Sequence, residues 1–189
     1  MRRTILACAG LLACCCCSIG GSATQAKAAN AATGARSAEQ HRAALVWLGR
    51  QIVGYQQTTW RWQRLMGVPR VQTEGRRLTE MSISDVERAV RLWRERAAAA
   101  RRAAQHPPHK AAFLCIHHYE GSWTDTGAPY YGGLQMDVGF QQHYGGWLYV
   151  HKGTANHWSP LEQIWTAEKA LKTRGFWPWP NTARYCGLI

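Results

Sequence analysis

Two acidic side chains stand among aromatic residues and glycines between residues 115 and 135, and the first of them lies between aromatic residues in the stretch CIHHYEGSWTDTGAPYYGGLQ. This residue, Glu120, is flanked by Tyr119 and Trp123. An apolar, aromatic setting disfavours the charged carboxylate and so favours the protonated form that a general acid needs. Phe113, Ile116 and Glu120 are spaced as on one face of a helix, which points the carboxyl group away from water. Glu120 is therefore a candidate general acid.

The residues around Glu120 fit a carbohydrate cleft. Aromatic rings stack on sugar faces, while Ser122, Thr126 and Gln135 can hydrogen-bond to hydroxyl and acetamido groups. Most enzymes that cleave glycosides use two carboxylates. Asp125 is the candidate for the second one here, although its turn position also suits a capping role. A single glutamate is sufficient if the sugar supplies its own hydroxyl nucleophile.

Further motifs follow in a fixed order after Glu120. They are YYGGLQ at 130–135, EQI with AEK at 162–169, Trp-Pro at 179–180 and a closing cysteine at 186. Together, residues 111–189 resemble the resuscitation-promoting factor group of transglycosylase-like proteins from actinobacteria. The resemblance implies a small lysozyme-like domain that acts on peptidoglycan, with Glu120 as its catalytic acid. It also implies a disulfide between Cys115 and Cys186, and saccharide contacts from Trp123, Thr126, Tyr130, Tyr131 and Gln135.

The N-terminus predicts export. Arg2 and Arg3 precede an apolar run over residues 4–19, and Ala26-Lys27-Ala28 offers a cleavage site, so residues 1–28 are predicted to be a signal peptide. The run is too short for a stable membrane span. Lipid attachment at Cys14 is the alternative. Export favours a secreted, cell-wall-associated protein.

Two cysteines, Cys115 and Cys186, remain once the five cysteines of the signal peptide are removed. In an exported protein, one such pair predicts a disulfide. Two free thiols or a metal-ligand pair are the alternatives. The adjacent His117 and His118 lack metal-site spacing, so we expect neither a metal nor another cofactor.

Positive charge is concentrated in the middle of the chain. The net charge is +12, and residues 29–110 contain 15 Lys/Arg against 6 Asp/Glu, whereas residues 111–189 contain 5 of each. A basic surface can indicate nucleic-acid binding or simply a solvated helix face. Because the protein is predicted to be exported, we expect no nucleic-acid partner. Anionic polymers of the cell envelope are the candidate partner for this region.

The predicted fold is α+β and mainly helical. Residues 29–37 are predicted to be a flexible tether, and residues 38–106 a basic, antiparallel helical hairpin. Its first helix covers residues 45–66, and its second begins at Ser84 with Glu87 completing a capping box. In the lysozyme-like domain, residues 111–189, we expect short helices at 111–120 and 134–144. The last helix is capped by Ser159, and an extended aromatic tail follows it.

The sequence thus predicts a secreted enzyme, of the lytic transglycosylase or muramidase type. It would cleave the glycan strand of peptidoglycan between N-acetylmuramic acid and N-acetylglucosamine. The alternative is a non-catalytic, cell-wall carbohydrate-binding module that uses the same aromatic cleft.

Overall fold

The computed structural model describes residues 23–73, 75 and 80–189. The first 22 residues of the predicted signal peptide lie outside the described residues. The chain divides into two compact units, Met1–Ala43 and Ala44–Ile189. The described part of the first unit is helical, and its described side chains from residue 27 onwards are exposed.

Helix α1, Ala23–Met66, is much longer than predicted. The flexible tether predicted at residues 29–37 is wrong, because this segment is helical. The physical reason is its high alanine content, since alanine has the strongest helix propensity of all residues. The end of α1 is as predicted, with Gly67 at φ 68°, a left-handed conformation that suits glycine.

Helix α2 covers Ile83–Ala104, and its cap lies two residues before the predicted one. Its N-cap is Ser82, not Ser84, and the Ser82 side chain accepts a hydrogen bond from the backbone N–H of Asp85. Both serines suit a cap by residue type. The extended backbone of Ser82, at φ −68° and ψ 156°, makes it the residue that caps the helix.

Helices α1 and α2 run in the same direction, so the predicted antiparallel hairpin is wrong. At the end of α2, the Ala104 carbonyl accepts a hydrogen bond from Trp165 Nε1 at 2.6 Å. Just after α1, a Cβ placed on Gly67 would lie 3.3 Å from Cε of Lys169. Trp165 and Lys169 are one turn apart on the helix Pro160–Arg174, so the ends of α1 and α2 lie close together. In an antiparallel hairpin these two ends would lie a helix length apart, which is about 33 Å for 22 residues at 1.5 Å each.

The connection between α1 and α2 accounts for this parallel arrangement. Residues after Gly67 return along α1, because the backbone N–H of Val71 donates to Gln63 Oε1 and Trp60 Nε1 donates to the Val71 carbonyl. The spacing of apolar residues along the helices cannot reveal such a return, since parallel and antiparallel arrangements of α1 and α2 would bury the same helix faces. An apolar cluster joins the two helices through Leu48, Ile52, Val86 and Trp93.

The remaining elements are short. They are α3 Lys110–Glu120, β1 Tyr130–Tyr131, β2 Met136–Asp137, α4 Val138–Phe140, a π-helical turn Gln141–Gly145, α5 Trp147–Lys152, a 3-10 turn Ala155–His157, α6 Pro160–Arg174 and α7 Pro180–Tyr185. Strands β1 and β2 pair antiparallel, with Tyr130 opposite Asp137 and Tyr131 opposite Met136.

Two predictions for this region need correction. The helix predicted at 134–144 begins only at Val138, because Asp137 forms its N-cap and accepts from the Phe140 N–H at 2.7 Å. The aromatic tail predicted to be extended contains α7. The predicted cap of the last helix at Ser159 is confirmed, and Glu162 completes a capping box there; α6 ends at Gly175.

A single apolar core surrounds α6. It includes Phe113 and Ile116 of α3, Ile164 and Trp165 of α6, and also Met66 of α1. The second compact unit therefore runs across the boundary that the sequence analysis places between residues 106 and 111. A disulfide between Cys115 and Cys186, with Cα atoms 6.0 Å apart, confirms the predicted pair. Among the described residues, no helix has the length and apolar character needed to cross a membrane.

Candidate active site

Glu120 is the last residue of α3, and its side chain is half-buried. Its Oε1 accepts a hydrogen bond of 2.8 Å from the hydroxyl of Thr182, a buried residue of α7. The disulfide joins α3 to Cys186, which directly follows α7. Covalent and hydrogen-bonding links between α3 and α7 thus fix the orientation of the carboxyl group.

Gly121 brings the following loop close to Glu120. Its φ of 139° lies outside the range that other residues readily adopt. A Cβ at this position would lie 3.6 Å from Asp125 Oδ2 and 3.8 Å from Gln135 Nε2. The structure therefore places two of the predicted site residues, Asp125 and Gln135, against the residue that follows the candidate acid.

Asp125 braces this loop with both carboxylate oxygens. Oδ2 accepts from Gln135 Nε2 at 2.7 Å, and Oδ1 accepts from the backbone N–H of Gly127 at 3.0 Å. Gln135 Nε2 also donates to the carbonyl of Gly132. These bonds are those of a turn-stabilising aspartate. The role of second carboxylate for Asp125 stays a prediction.

Trp123 is held in a fixed position by two neighbours. Its ring stacks on the imidazole of His117, with centroids 3.8 Å apart and planes 24° apart. Its backbone carbonyl accepts a 2.8 Å hydrogen bond from Gln163 Nε2. One ring face is thus covered by His117, and a sugar could meet Trp123 only by the opposite face or the edge.

The two glycines of the YYGGLQ segment allow its backbone to lie close to the side chains of Gln163 and His117. A Cβ on Gly132 would lie 2.5 Å from Gln163 Oε1, and one on Gly133 would lie 2.5 Å from His117 Nδ1. Gly133 also donates its N–H to Gln163 Oε1 at 2.9 Å, and its carbonyl lies 3.1 Å from His117 Nδ1. Glycine is required here because any side chain would collide with the site.

The other predicted sugar contacts lie on the same loop and β-hairpin. Thr126 and Tyr130 are exposed, and Tyr131 is half-buried. Near Glu120, the exposed rings of Tyr119 and Tyr185 lie 5.5 Å apart. Tyr185 was not a predicted site residue, and its approach to Tyr119 depends on how α7 folds back onto α3.

Thr182 and Gln163 are the two supporting residues that the sequence analysis missed. Gln163 is fully buried and belongs to the EQI motif, so its position in that motif was the only available signal. The buried Glu168, by contrast, accepts hydrogen bonds from the backbone N–H and Nδ1 of His109 at 2.7 and 2.9 Å. Its carboxylate therefore stabilises the start of α3 and does not face the candidate site.

Within the described part of the chain, no group of three or more histidine, cysteine, aspartate or glutamate side chains is arranged to hold a metal ion. The two large cavities along the helices, of about 570 and 530 Å³, are not lined by Glu120. Comparisons of the chain with protein-family models, curated proteins and solved structures give no match.

Proposed function

We propose that the protein is a secreted enzyme that cleaves the glycan strand of peptidoglycan, with Glu120 as its general acid and base. The observation that carries this proposal is the carboxyl group of Glu120, half-buried and oriented by Thr182 at 2.8 Å. Within the described part of the chain, only its Oε1 has a hydrogen-bond partner. Oε2 is therefore available for proton transfer to a substrate.

The proposed reaction needs one proton carrier. Glu120 donates its proton to the glycosidic oxygen between N-acetylmuramic acid and N-acetylglucosamine as that bond breaks. The resulting carboxylate then removes a proton from the attacking hydroxyl group, which returns Glu120 to its acid form. The attacking group is the C6 hydroxyl of the muramyl sugar in a lytic transglycosylase and water in a muramidase.

The bonding of Asp125 favours the single-glutamate route. Both of its oxygens already accept hydrogen bonds from the loop that they brace. An attack by Asp125 on the sugar would break the contact with Gln135 and loosen that loop. We therefore propose Glu120 as the sole proton carrier, and of the two nucleophiles we expect the sugar hydroxyl, because it is part of the substrate and needs no bound water.

The surrounding rings support a saccharide substrate. Aromatic side chains with fixed positions bind at low entropic cost, and Trp123 is fixed by His117 and Gln163. The proposed sugar contacts are Trp123, Thr126, Tyr130, Tyr131 and Gln135. A lysozyme-like fold and kinship with the resuscitation-promoting factor group are part of the same proposal, as is secretion, which the disulfide supports.

A non-catalytic wall-binding module is the second candidate. The exposed rings of Tyr119, Tyr130 and Tyr185 favour it, because sugar stacking does not require the charge of Glu120. In that case the same surface would bind glycan strands and leave them intact.

Mass spectrometry of the fragments released from purified peptidoglycan tests the proposal. We expect soluble fragments ending in an anhydro-muramyl sugar from the wild-type protein and none from Glu120→Gln. Glu87→Gln, the same change at an exposed position of α2, is the matched control and should retain activity. Reducing-end fragments would indicate water as the nucleophile. Binding of glycan by both forms without any fragments would establish the wall-binding module instead.

A further inference from the structure

A second concave region lies between the C-terminal part of α1, the residues that follow it, and α5. It encloses about 530 Å³ and is lined by side chains that include Trp60, Arg61, Arg64, Arg70, Trp147 and Lys152. We call it the arginine cavity. None of its lining residues belongs to the site around Glu120, so it requires an explanation of its own.

The arginine cavity carries uncompensated positive charge. Lys152 is paired with Glu162, with Nζ 2.7 and 2.8 Å from its two carboxylate oxygens. Arg61, Arg64 and Arg70 are exposed and form no salt bridge with any acidic side chain that the structure describes. Three guanidinium groups therefore share a concave surface, where the field of like charges attracts an anion.

Glu162 does not change this balance. Burial by itself would raise the pKa of Glu162. This effect is outweighed by hydrogen bonds from Lys152 and from the backbone and hydroxyl of Ser159, and by the charge of Lys152. The pKa of Glu162 is therefore held below its ordinary value. The carboxylate stays ionised and remains paired with Lys152. The three arginines are thus left to bind an external group.

Two of these arginines are oriented by tryptophan rings that line the cavity, and the third, Arg61, lies 5.5 Å from the ring centroid of Trp62. The guanidinium carbon of Arg70 lies 4.1 Å from the ring centroid of Trp60, and that of Arg64 lies 5.6 Å from the ring of Trp147. A guanidinium held over a ring still offers its N–H edge to an oxyanion. The cavity therefore presents cations that are oriented for an oxyanion.

We propose that the arginine cavity is a second ligand site, which binds a phosphate group of an anionic polymer through Arg61, Arg64 and Arg70. Arginine forks match the geometry of phosphate oxygens. The polymer is a chain of glycerol or sugar phosphates. Such a ligand would hold the enzyme beside its substrate without taking part in cleavage.

Two observations select this polymer over other phosphate sources. The Cys115–Cys186 disulfide indicates an oxidising compartment, which favours polymers of the cell envelope over nucleic acid. The three arginines line a concave region, which a flexible chain can follow more readily than the flat surface of a lipid bilayer can. Binding to lipid or nucleic acid is therefore an outcome that the test must separate.

Calorimetric titration with soluble poly(glycerol phosphate) tests the proposal, using the full chain with Glu120→Gln so that cleavage plays no part. We expect Arg64→Gln and Arg70→Gln each to weaken binding about tenfold, because each removes one charge-assisted hydrogen-bonding group. The slope of log affinity against log salt concentration should fall by about one for each arginine removed. Arg94→Gln, which makes the same charge change on α2 outside the cavity, should alter affinity less than about twofold.

Arg64→Lys keeps the positive charge but removes the planar guanidinium group, so it should retain only part of the affinity for the polymer. Unchanged circular dichroism and thermal midpoints show that the variants are folded. Equal weakening by Arg94→Gln would overturn the proposal, because diffuse attraction would then explain the binding. Arginine-dependent binding of phosphatidylglycerol vesicles or duplex DNA, without binding of the polymer, would overturn the choice of ligand. Failure of the cleavage assay has no bearing on any of these results.

Discussion

Replacing Gln163 with methionine should destabilise the protein more than any other single change near the candidate site. Gln163 is 0% exposed. Its Oε1 accepts from the Gly133 N–H at 2.9 Å, and its Nε2 lies 2.8 Å from the Trp123 carbonyl and 2.9 Å from that of Ala155. Methionine has a similar size and shape but cannot make these hydrogen bonds.

The expected cost follows from the groups left without partners. A buried N–H that loses its acceptor costs about 1–3 kcal/mol, and each of the two carbonyls loses a bond worth about 1 kcal/mol. The sum is about 3–5 kcal/mol of unfolding free energy. The loop and β-hairpin that follow Glu120 should also lose their fixed positions, since Gln163 joins Trp123 to Gly133.

Urea unfolding with the disulfide intact measures this cost. Gln142→Met, at an exposed position of the π-helical turn, is the matched control and should change stability by less than about 0.5 kcal/mol. A similarly small change for Gln163→Met would refute the reasoning, because it would mean that the buried hydrogen bonds contribute nothing net. In parallel, peptidoglycan cleavage at a temperature where the variant is folded should fall, since the loop no longer positions the sugar.

Three further outcomes can be measured by unfolding. Gly133→Ala places a Cβ 2.5 Å from its nearest neighbour and should cost about 1–3 kcal/mol, whereas Gly54→Ala, with open space in α1, should stabilise by about 0.5–1 kcal/mol. Replacing Cys115 and Cys186 with serine releases a loop of 71 residues and should cost about 4 kcal/mol on the chain-entropy model; a loss below 1 kcal/mol would contradict that account. The pKa of Glu162 is lower in the folded protein than its ordinary 4.5, so its contribution is present above that pH and is lost as the pH falls below it. Glu162→Gln should therefore lower stability at pH 7 and flatten the acid limb, and an unchanged acid limb would count against this assignment.

Local features of the fold could be predicted from the sequence. The cap of α6 at Ser159, the end of α1 at Gly67 and the final residue of α3 depend on neighbours within a few positions, so residue type and spacing are sufficient. The disulfide was also predictable, because only two cysteines remained outside the predicted signal peptide. The segment 29–37 is helical, and not a tether, for a local reason as well, because its alanines favour a helix.

The relative direction of α1 and α2 could not be predicted, because both arrangements bury the same apolar faces. The outcome is decided by contacts of the intervening residues with α1, such as Trp60 with the Val71 carbonyl, and by the contact of α2 with α6. These contacts depend on side-chain fit and not on periodicity.

The sequence by itself determined that Glu120 ends a helix beside aromatic residues and glycines, and that a disulfide closes the segment around it. Only the tertiary structure decided what that glutamate contacts. Thr182 lies 62 residues away, and no pattern within one element can indicate a hydrogen bond over that separation. The arginine cavity likewise exists only because α1 and α5 pack together and bring Arg64 to Trp147. Local propensity fixes where elements begin and end, whereas the packing of distant faces decides which side chains form a site.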